Sequence, residues 1–169
     1  MDRSPTQQLE WRKSQIWWIL LPLVMAAVVA VLFPWMEDRR EEAHQETCLS
    51  NMENVALWML AYAAHNDGML PMGPDWVEEM GEHIKDRDAL ICPAAPASAP
   101  VSYVFNPRLY GANLSDLEDP HSMVVLYEGQ LGEIVNRHRG GANYAYADGF
   151  VEWREAPPED LDIVAVEEP

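Results

Sequence analysis

Residues 16–36 read IWWILLPLVMAAVVAVLFPWM, and this run decides the architecture of the chain. It contains 21 residues and no charged side chain. At the rise of an α-helix it spans about 31 Å, which matches the hydrocarbon core of a bilayer. Trp17 and Trp18 lie at one end and Trp35 at the other, as is typical of the two interfaces of a membrane span. The run therefore predicts one transmembrane helix, preceded by a tail of residues 1–15.

A cleaved signal peptide and a buried core helix are the alternative interpretations of this run. A signal peptide usually has a shorter apolar core that ends in small residues, whereas this run ends in Leu32-Phe33-Pro34-Trp35. The length and the two tryptophan positions argue against a core helix. We therefore favour an uncleaved anchor. Basic residues are slightly more numerous before the run than just after it, so we expect the N-terminus in the cytoplasm and the following domain outside it.

The part of the chain that follows the run is strongly acidic. From Glu37 onward there are 26 Asp and Glu against 8 Lys and Arg, a formal charge of −18. A surface of this sign repels phosphate backbones, which excludes nucleic acid as a partner. The chain also lacks a serine nucleophile elbow, a phosphate-binding glycine loop, a zinc-type cysteine-histidine cluster and a dinucleotide fingerprint in its sequence, so we expect no enzymatic activity.

Apolar periodicity predicts an α+β domain over residues 37–154. Apolar residues recur at three- and four-residue steps between Glu41 and His65, which predicts an amphipathic helix stopped by Asn66-Asp67-Gly68. The positions on its apolar face are Ala43, Cys48 or Leu49, Met52, Val55 or Ala56, Met59, and Tyr62 or Ala63. A short helix is expected from Asp75 to Gly81, with Asp75 and Glu78 in a capping box. Residues 155–169 are expected to form a loosely held acidic tail.

An antiparallel sheet is expected in the second half of this domain. Strands are predicted at Val101–Phe105 and Ser122–Tyr127, separated from the helices by an irregular loop from Cys92 to Pro100. A hairpin follows, in which Asp148-Gly149 forms a two-residue type I′ turn between residues 144–147 and 150–153. That turn pairs Tyr146 with Val151 and places Tyr144, Tyr146, Val151 and Trp153 on one face.

The segment from Arg137 to Trp153 resembles a known signature. His138, nine further residues and then Asp148-Gly149 resemble the H-X9-DG motif of bacterial pilin-like proteins. The segments Thr47–Ala56, Tyr62–Gly68, Cys92-Pro93 and Ser102–Asn106 are similar to the same family. The resemblance covers about residues 37–154 and implies a fold like that of type II secretion pseudopilins and type IV pilins, in which a long helix, half in the membrane, carries a small antiparallel sheet.

This resemblance implies a structural role in the bacterial inner membrane, with the domain on the periplasmic side. The chain would be a subunit or accessory of a pseudopilus-like assembly, and its partners would be the bilayer and other pilin-like subunits. Prepilins carry a glycine where the prepilin peptidase cuts, and no glycine precedes Gly68 here. We therefore expect no prepilin processing. The alternative function is a monomeric, membrane-tethered module that binds an ion or a small ligand.

Cys48 and Cys92 are the only two cysteines, and both lie on the side that is expected to be exported. Disulfides persist in such compartments, and a bridge here would close a loop of about 45 residues and contribute about 4 kcal/mol. We predict a Cys48–Cys92 disulfide. Two buried free thiols are the alternative.

His138 and Asp148 have two possible roles. They can be a metal ligand or catalytic base with its carboxylate partner, but an extended chain would hold them about 30 Å apart. We favour a structural role, in which Asp148 and Gly149 form the turn and His138 orders the Gly140-Gly141 loop by hydrogen bonding. Pseudopilins can hold calcium beside the sheet, and the resemblance points to calcium as the one cofactor to test. The carboxylates expected to bind it are Asp116, Glu118, Asp119 and Glu128.

Overall fold

A computed structural model describes residues 5–96, 99–130, 132–159 and 161, with side chains described for residue 18 and from residue 20 onward. Its contacts divide the chain into two units, Met1–Arg40 and Glu41–Pro169. The backbone of the predicted N-terminal tail is helical from Pro5 onward. The outer parts of the two predicted tails, residues 1–4 and 162–169, lie outside the described residues.

Helix α1 runs from Pro5 to His65 and includes Pro22 and Pro34. Every side chain described between Leu20 and Met36 is exposed, although nearly all of them are apolar. Within the described ranges, α1 is the one helix long and apolar enough to cross a membrane.

The second half of α1 is amphipathic, as the periodicity predicts. Its buried face consists of Cys48, Met52, Val55, Ala56, Met59 and Ala63. Ala43 is exposed, so the prediction that it joins this face is wrong. The predicted stop is confirmed, because Gly68 has a φ of 84° and its N–H donates to the carbonyl of Ala63 over 2.8 Å.

The rest of the domain is a short helix and five antiparallel strands, which confirms the α+β class. Helix α2 spans Trp76–Met80. The strands are β1 Tyr103–Phe105, β2 Val124–Gln130, β3 Glu133–Ile134, β4 Ala142–Tyr146 and β5 Val151–Arg154. Their order in the sheet is β1-β2-β4-β5, and β3 pairs with β2. Strand β2 extends three residues beyond the predicted end at Tyr127, so Glu128 lies inside a strand.

The capping box predicted for α2 does not form. Asp75 precedes the helix, but its side chain makes no capping hydrogen bond. The carboxylate of Glu79 instead accepts hydrogen bonds from the Met72 N–H over 2.9 Å and the Tyr62 hydroxyl over 2.8 Å. The Tyr62 contact connects α2 to the end of α1, and the Met72 contact connects α2 to the segment between the two helices.

Both faces of the sheet are covered by apolar side chains. The face toward α1 contributes Tyr103, Phe105, Leu126 and Ala145 to the main core. The opposite face carries a smaller cluster of Val124, Tyr127, Ala142, Tyr144, Tyr146 and Leu161. Leu161 of the acidic tail is thus buried against the sheet.

The predicted hairpin is present, but its register differs by one residue. Tyr144 pairs with Glu152 and Ala145 with Val151, and the Tyr146 N–H donates to the carbonyl of Phe150 over 2.8 Å. The loop therefore has three residues, and only Gly149 in it has a positive φ, whereas a type I′ turn also needs one at Asp148. A shift of one residue exchanges the two faces of a strand, so Tyr144 and Tyr146 do not share a face with Val151.

Candidate functional site

Four side chains from separate parts of the chain meet in the interior of the domain. Cys48 comes from α1, Cys92 from the loop after residues 88–90, Glu128 from β2, and His138 from the segment before β4. One ligand atom from each lies within 4.8 Å of the others, and each of the four residues is fully buried. We call these four residues the Cys-His-Glu cluster.

Direct contacts connect the members of the cluster. The Cys48 thiol donates to Glu128 Oε1 over 2.6 Å, and Cys92 Sγ lies 3.1 Å from His138 Nε2. The same imidazole nitrogen lies 3.2 Å from Glu128 Oε1. The four groups therefore form one continuous polar contact network.

Further groups orient the cluster from outside. The second oxygen of Glu128, Oε2, accepts a hydrogen bond of 2.8 Å from the backbone N–H of Asn143. The other imidazole nitrogen of His138, Nδ1, lies 3.1 Å from Glu41 Oε1. The Cys92 N–H donates to Ser102 Oγ over 2.9 Å. These partners restrict the side chains of Glu128 and His138 and the backbone of Cys92, and the Tyr103 hydroxyl lies 3.5 Å from Cys48 Sγ.

The local chain conformation explains how His138 reaches the cluster. Arg139 and Gly140 both have positive φ angles, and the backbone of His138 exchanges hydrogen bonds of 3.2 Å and 2.9 Å with Gly141. The indole of Trp153 donates to the carbonyl of His138 over 2.8 Å. This tight turn holds the backbone of His138 and leaves its side chain directed inward.

Hydrogen bonding and burial shift the pKa values of all four groups. The hydrogen bond with Cys48 lowers the pKa of Cys92 to about 6, and the same bond raises the pKa of Cys48. Burial opposes charge on His138, but hydrogen bonds to Cys92 and Glu128 outweigh it and raise its pKa to about 10. Burial also opposes charge on Glu128, and hydrogen bonds, the largest with His138, lower its pKa nonetheless. These directions favour the protonated imidazole over the neutral one where His138 lies between Glu128 and Cys92.

The predicted disulfide partners are close to each other, but they are not bonded. Cys48 and Cys92 are both free thiols and both belong to the cluster. Their sulfurs contact Glu128 and His138 instead. The structure thus describes the reduced protein, and the disulfide stays a prediction about an oxidised form.

The four carboxylates predicted to bind calcium do not come together. Asp116, Glu118 and Asp119 are exposed, whereas Glu128 is fully buried in the cluster with two cysteines and a histidine. Strand β2 continues through residue 128 and turns that side chain toward α1, so Glu128 does not join the three exposed carboxylates, and calcium binding stays a prediction.

His138 and Asp148 are separate, as the favoured interpretation requires. Asp148 Oδ1 accepts a hydrogen bond from the Phe150 N–H within the hairpin turn, and Oδ2 lies 2.5 Å from His121 Nδ1. The backbone of His138 orders the Gly140-Gly141 loop, but its imidazole belongs to the cluster. The imidazole is therefore placed for the metal-ligand or base role that the favoured interpretation set aside.

The cluster allows two kinds of chemistry. Cys92, His138 and Glu41 follow one another in the order of a nucleophile, a base and an orienting acid. A nucleophile must reach its substrate, however, and both Cys92 and His138 have 0% exposure. Two thiols, an imidazole and a carboxylate also match the ligands of a transition metal, and such a role needs no exposure.

The sequence carries one signal for the cluster. Glu128 follows Val124-Val125-Leu126-Tyr127, and a charged residue in a buried strand needs a partner.

No protein-family model, no curated protein and no solved structure matches this chain.

Proposed function

We propose that this chain is a non-enzymatic, membrane-anchored, pilin-like protein that serves as a structural or accessory component of an envelope assembly of the type II secretion or type IV pilus kind. The exposed apolar segment of α1 carries this proposal. Leu23 is 64% exposed and Val31 70% exposed, and every described neighbour between Leu20 and Met36 is exposed too. An apolar helix of this length needs lipid or other helices around it.

The second half of α1 supports the pilin-like part of the proposal. Met52, Val55 and Met59 pack in the core with strands of an antiparallel sheet. A single helix that begins with a membrane-spanning length and continues as the core helix of a small α+β domain is the layout that the H-X9-DG resemblance implies. The acidic composition of the domain fits a periplasmic surface that stays soluble.

Membrane insertion is tested by an arginine in the apolar segment. Val28→Arg places a charge near its centre, which costs about 2.5–3.5 kcal/mol of insertion free energy. We expect this variant to leave the membrane pellet in an alkaline carbonate wash, whereas the native chain stays. Leu57→Arg is the matched control, because Leu57 is 51% exposed on the domain half of the same helix. Equal retention of the two variants would contradict membrane insertion.

Assembly is tested by crosslinking in native membranes and by the mass of the mature chain. We expect a ladder of oligomers and an intact N-terminus without prepilin cleavage. A lone monomer would reject the assembly role, and a methylated N-terminus within the first twenty residues would reject the absence of processing.

A membrane-tethered binding module is the second candidate function. A cleft of about 510 Å³ between α2 and β1 favours it, because ligand pockets of roughly 300–1,000 Å³ are typical. Its walls include Trp76, Val77, Tyr103, Phe105 and Tyr110. A crosslinking result of monomer alone would favour this candidate over assembly.

A further inference from the structure

We propose that Cys48, Cys92, Glu128 and His138 form a structural zinc site that fastens α1 to the sheet. The site would be the same whether the chain assembles or acts as a tethered module. It concerns only the interior of the domain.

The distances within the cluster are close to those of a zinc site. With bonds of about 2.3 Å to sulfur and 2.0–2.1 Å to nitrogen or oxygen, neighbouring ligands of a tetrahedral zinc ion lie about 3.3–3.8 Å apart. The contacts in the structure are 2.6, 3.1 and 3.2 Å, and all four ligand atoms lie within 4.8 Å of one another. The side chains therefore need to move by about 1 Å or less to reach tetrahedral coordination.

The identity of the ligands selects the metal. Thiolate sulfur and imidazole nitrogen are ligands that zinc prefers, whereas calcium and magnesium require a shell of oxygen atoms. Two thiolates, one carboxylate and a neutral imidazole carry a charge of −3, which a buried site cannot hold without a cation. A divalent zinc ion reduces that charge to −1, and its binding releases the protons that the ligands hold.

The outer partners match those found around bound zinc. A ligating histidine generally donates its second N–H to a carboxylate, and Glu41 Oε1 lies 3.1 Å from His138 Nδ1. Asn143 donates to Oε2 of Glu128, which leaves Oε1 directed at the other ligands.

The complete burial of the ligands makes the site structural. A catalytic zinc ion keeps one position open for water or substrate, whereas four protein ligands close the coordination shell. All four ligands here are fully buried and come from four different segments. One zinc ion would thus connect α1, the loop at Cys92, strand β2 and the turn at His138.

The test uses the full chain, purified in detergent under reducing conditions. We expect one zinc ion per chain by elemental analysis. Replacement by Co²⁺ should give a thiolate-to-cobalt charge-transfer band and the intense visible bands of a tetrahedral site. Cys92→Ser should lose bound zinc and the charge transfer from that sulfur, and Glu128→Gln should weaken zinc binding. Glu133→Gln, at an exposed position of β3, is the matched control and should bind like the native chain.

A second variant keeps the test valid if Cys92→Ser fails to fold. Glu41→Gln keeps all four ligands and alters only the partner of His138, so it should lower zinc affinity roughly 10–100-fold in competition with a chromophoric chelator. Absence of zinc and of a tetrahedral cobalt spectrum in the reduced native chain would overturn the proposal. Full zinc binding by a folded Cys92→Ser variant would overturn it too, as would a Cys48–Cys92 disulfide throughout protein that was produced with zinc supplied and isolated without reductant.

Discussion

Substitution of Gly141 by alanine tests how the hairpin positions His138. A Cβ atom at Gly141 would lie 2.3 Å from the carbonyl oxygen of Arg154 and 2.7 Å from the indole ring of Trp153. The first contact is to backbone, so no side-chain rotation relieves it. Strand β5 would have to move away from the turn by about 1 Å to restore ordinary contact distances.

The expected loss of stability is large for a single methyl group. Overpacking of this kind costs about 1–3 kcal/mol, and two close contacts place Gly141→Ala at the upper end. With a urea dependence of about 1–3 kcal/mol per molar, the midpoint should fall by roughly 1 M or more. Zinc affinity should fall as well, because the displaced Trp153 indole also bonds the carbonyl of His138.

The assay is urea unfolding of the full chain in detergent, followed by tryptophan fluorescence and by chelator competition for zinc. Gly73→Ala is the matched control, since nothing lies within 4 Å of its added Cβ. That variant should unfold within about 0.5 kcal/mol of the native chain. A Gly141→Ala midpoint equal to that of Gly73→Ala would refute the reasoning that a close approach requires glycine here.

Three further predictions concern the core, the helix end and alkaline pH. Met52→Ala should cost about 2–5 kcal/mol because Met52 is fully buried, whereas Leu57→Ala at an exposed position should change stability by less than about 0.5 kcal/mol in the same urea assay. Gly68→Ala should destabilise the chain by about 1 kcal/mol or more, because its φ of 84° disfavours a side chain and its Cβ would lie 2.6 Å from Asn113 Oδ1; an unchanged midpoint would exclude this. Burial raises the pKa of Tyr127 and Tyr144 from 10 to about 12. Their contribution to the free energy of unfolding is therefore fully present below pH 10 and is lost as the pH rises to 12. Phenolate absorbance should therefore rise together with unfolding in that window, and titration near pH 10 in a folded protein would contradict it.

The parts of the fold that follow from local periodicity were predictable. Met52, Val55 and Met59 lie one helical turn apart, and all three are buried as the spacing requires. The stop at Gly68 follows from the left-handed conformation that glycine adopts easily. Both inferences depend only on residues that are neighbours in sequence, which is why they hold.

The register of the hairpin was not predictable from its residues alone. An Asp-Gly pair fits a two-residue type I′ turn, but it also fits a three-residue loop in which only the glycine has a positive φ. The structure has the three-residue loop. At the other end of β4, the carbonyl oxygen of Arg154 and the indole ring of Trp153 lie close to Gly141. Contacts across the sheet therefore decide between two turns that the local sequence allows equally.

The Cys-His-Glu cluster escaped prediction for a different reason. Its four members come from separate segments, and no pair has the short spacing of a known metal motif. The two cysteines predict only a disulfide with each other. The predicted strand ends at Tyr127, so Glu128 falls just outside it. A strand that continues through residue 128 buries this carboxylate, which then requires a partner, but the sequence does not identify the residues that supply it.

The predicted disulfide and the proposed zinc site use the same two sulfurs, so they exclude each other. In an oxidising periplasm, exposed thiols are converted to disulfides, whereas the thiols of Cys48 and Cys92 are fully buried in the folded chain. Oxidation of the two thiols can therefore compete with zinc binding only before the domain has folded. Zinc that binds during folding would hold the thiolates until they are buried. If the domain is exported as proposed, zinc supplied during export should preserve the free thiols, and export without zinc should yield the disulfide. A disulfide content independent of zinc supply would show that the metal does not occupy these sulfurs.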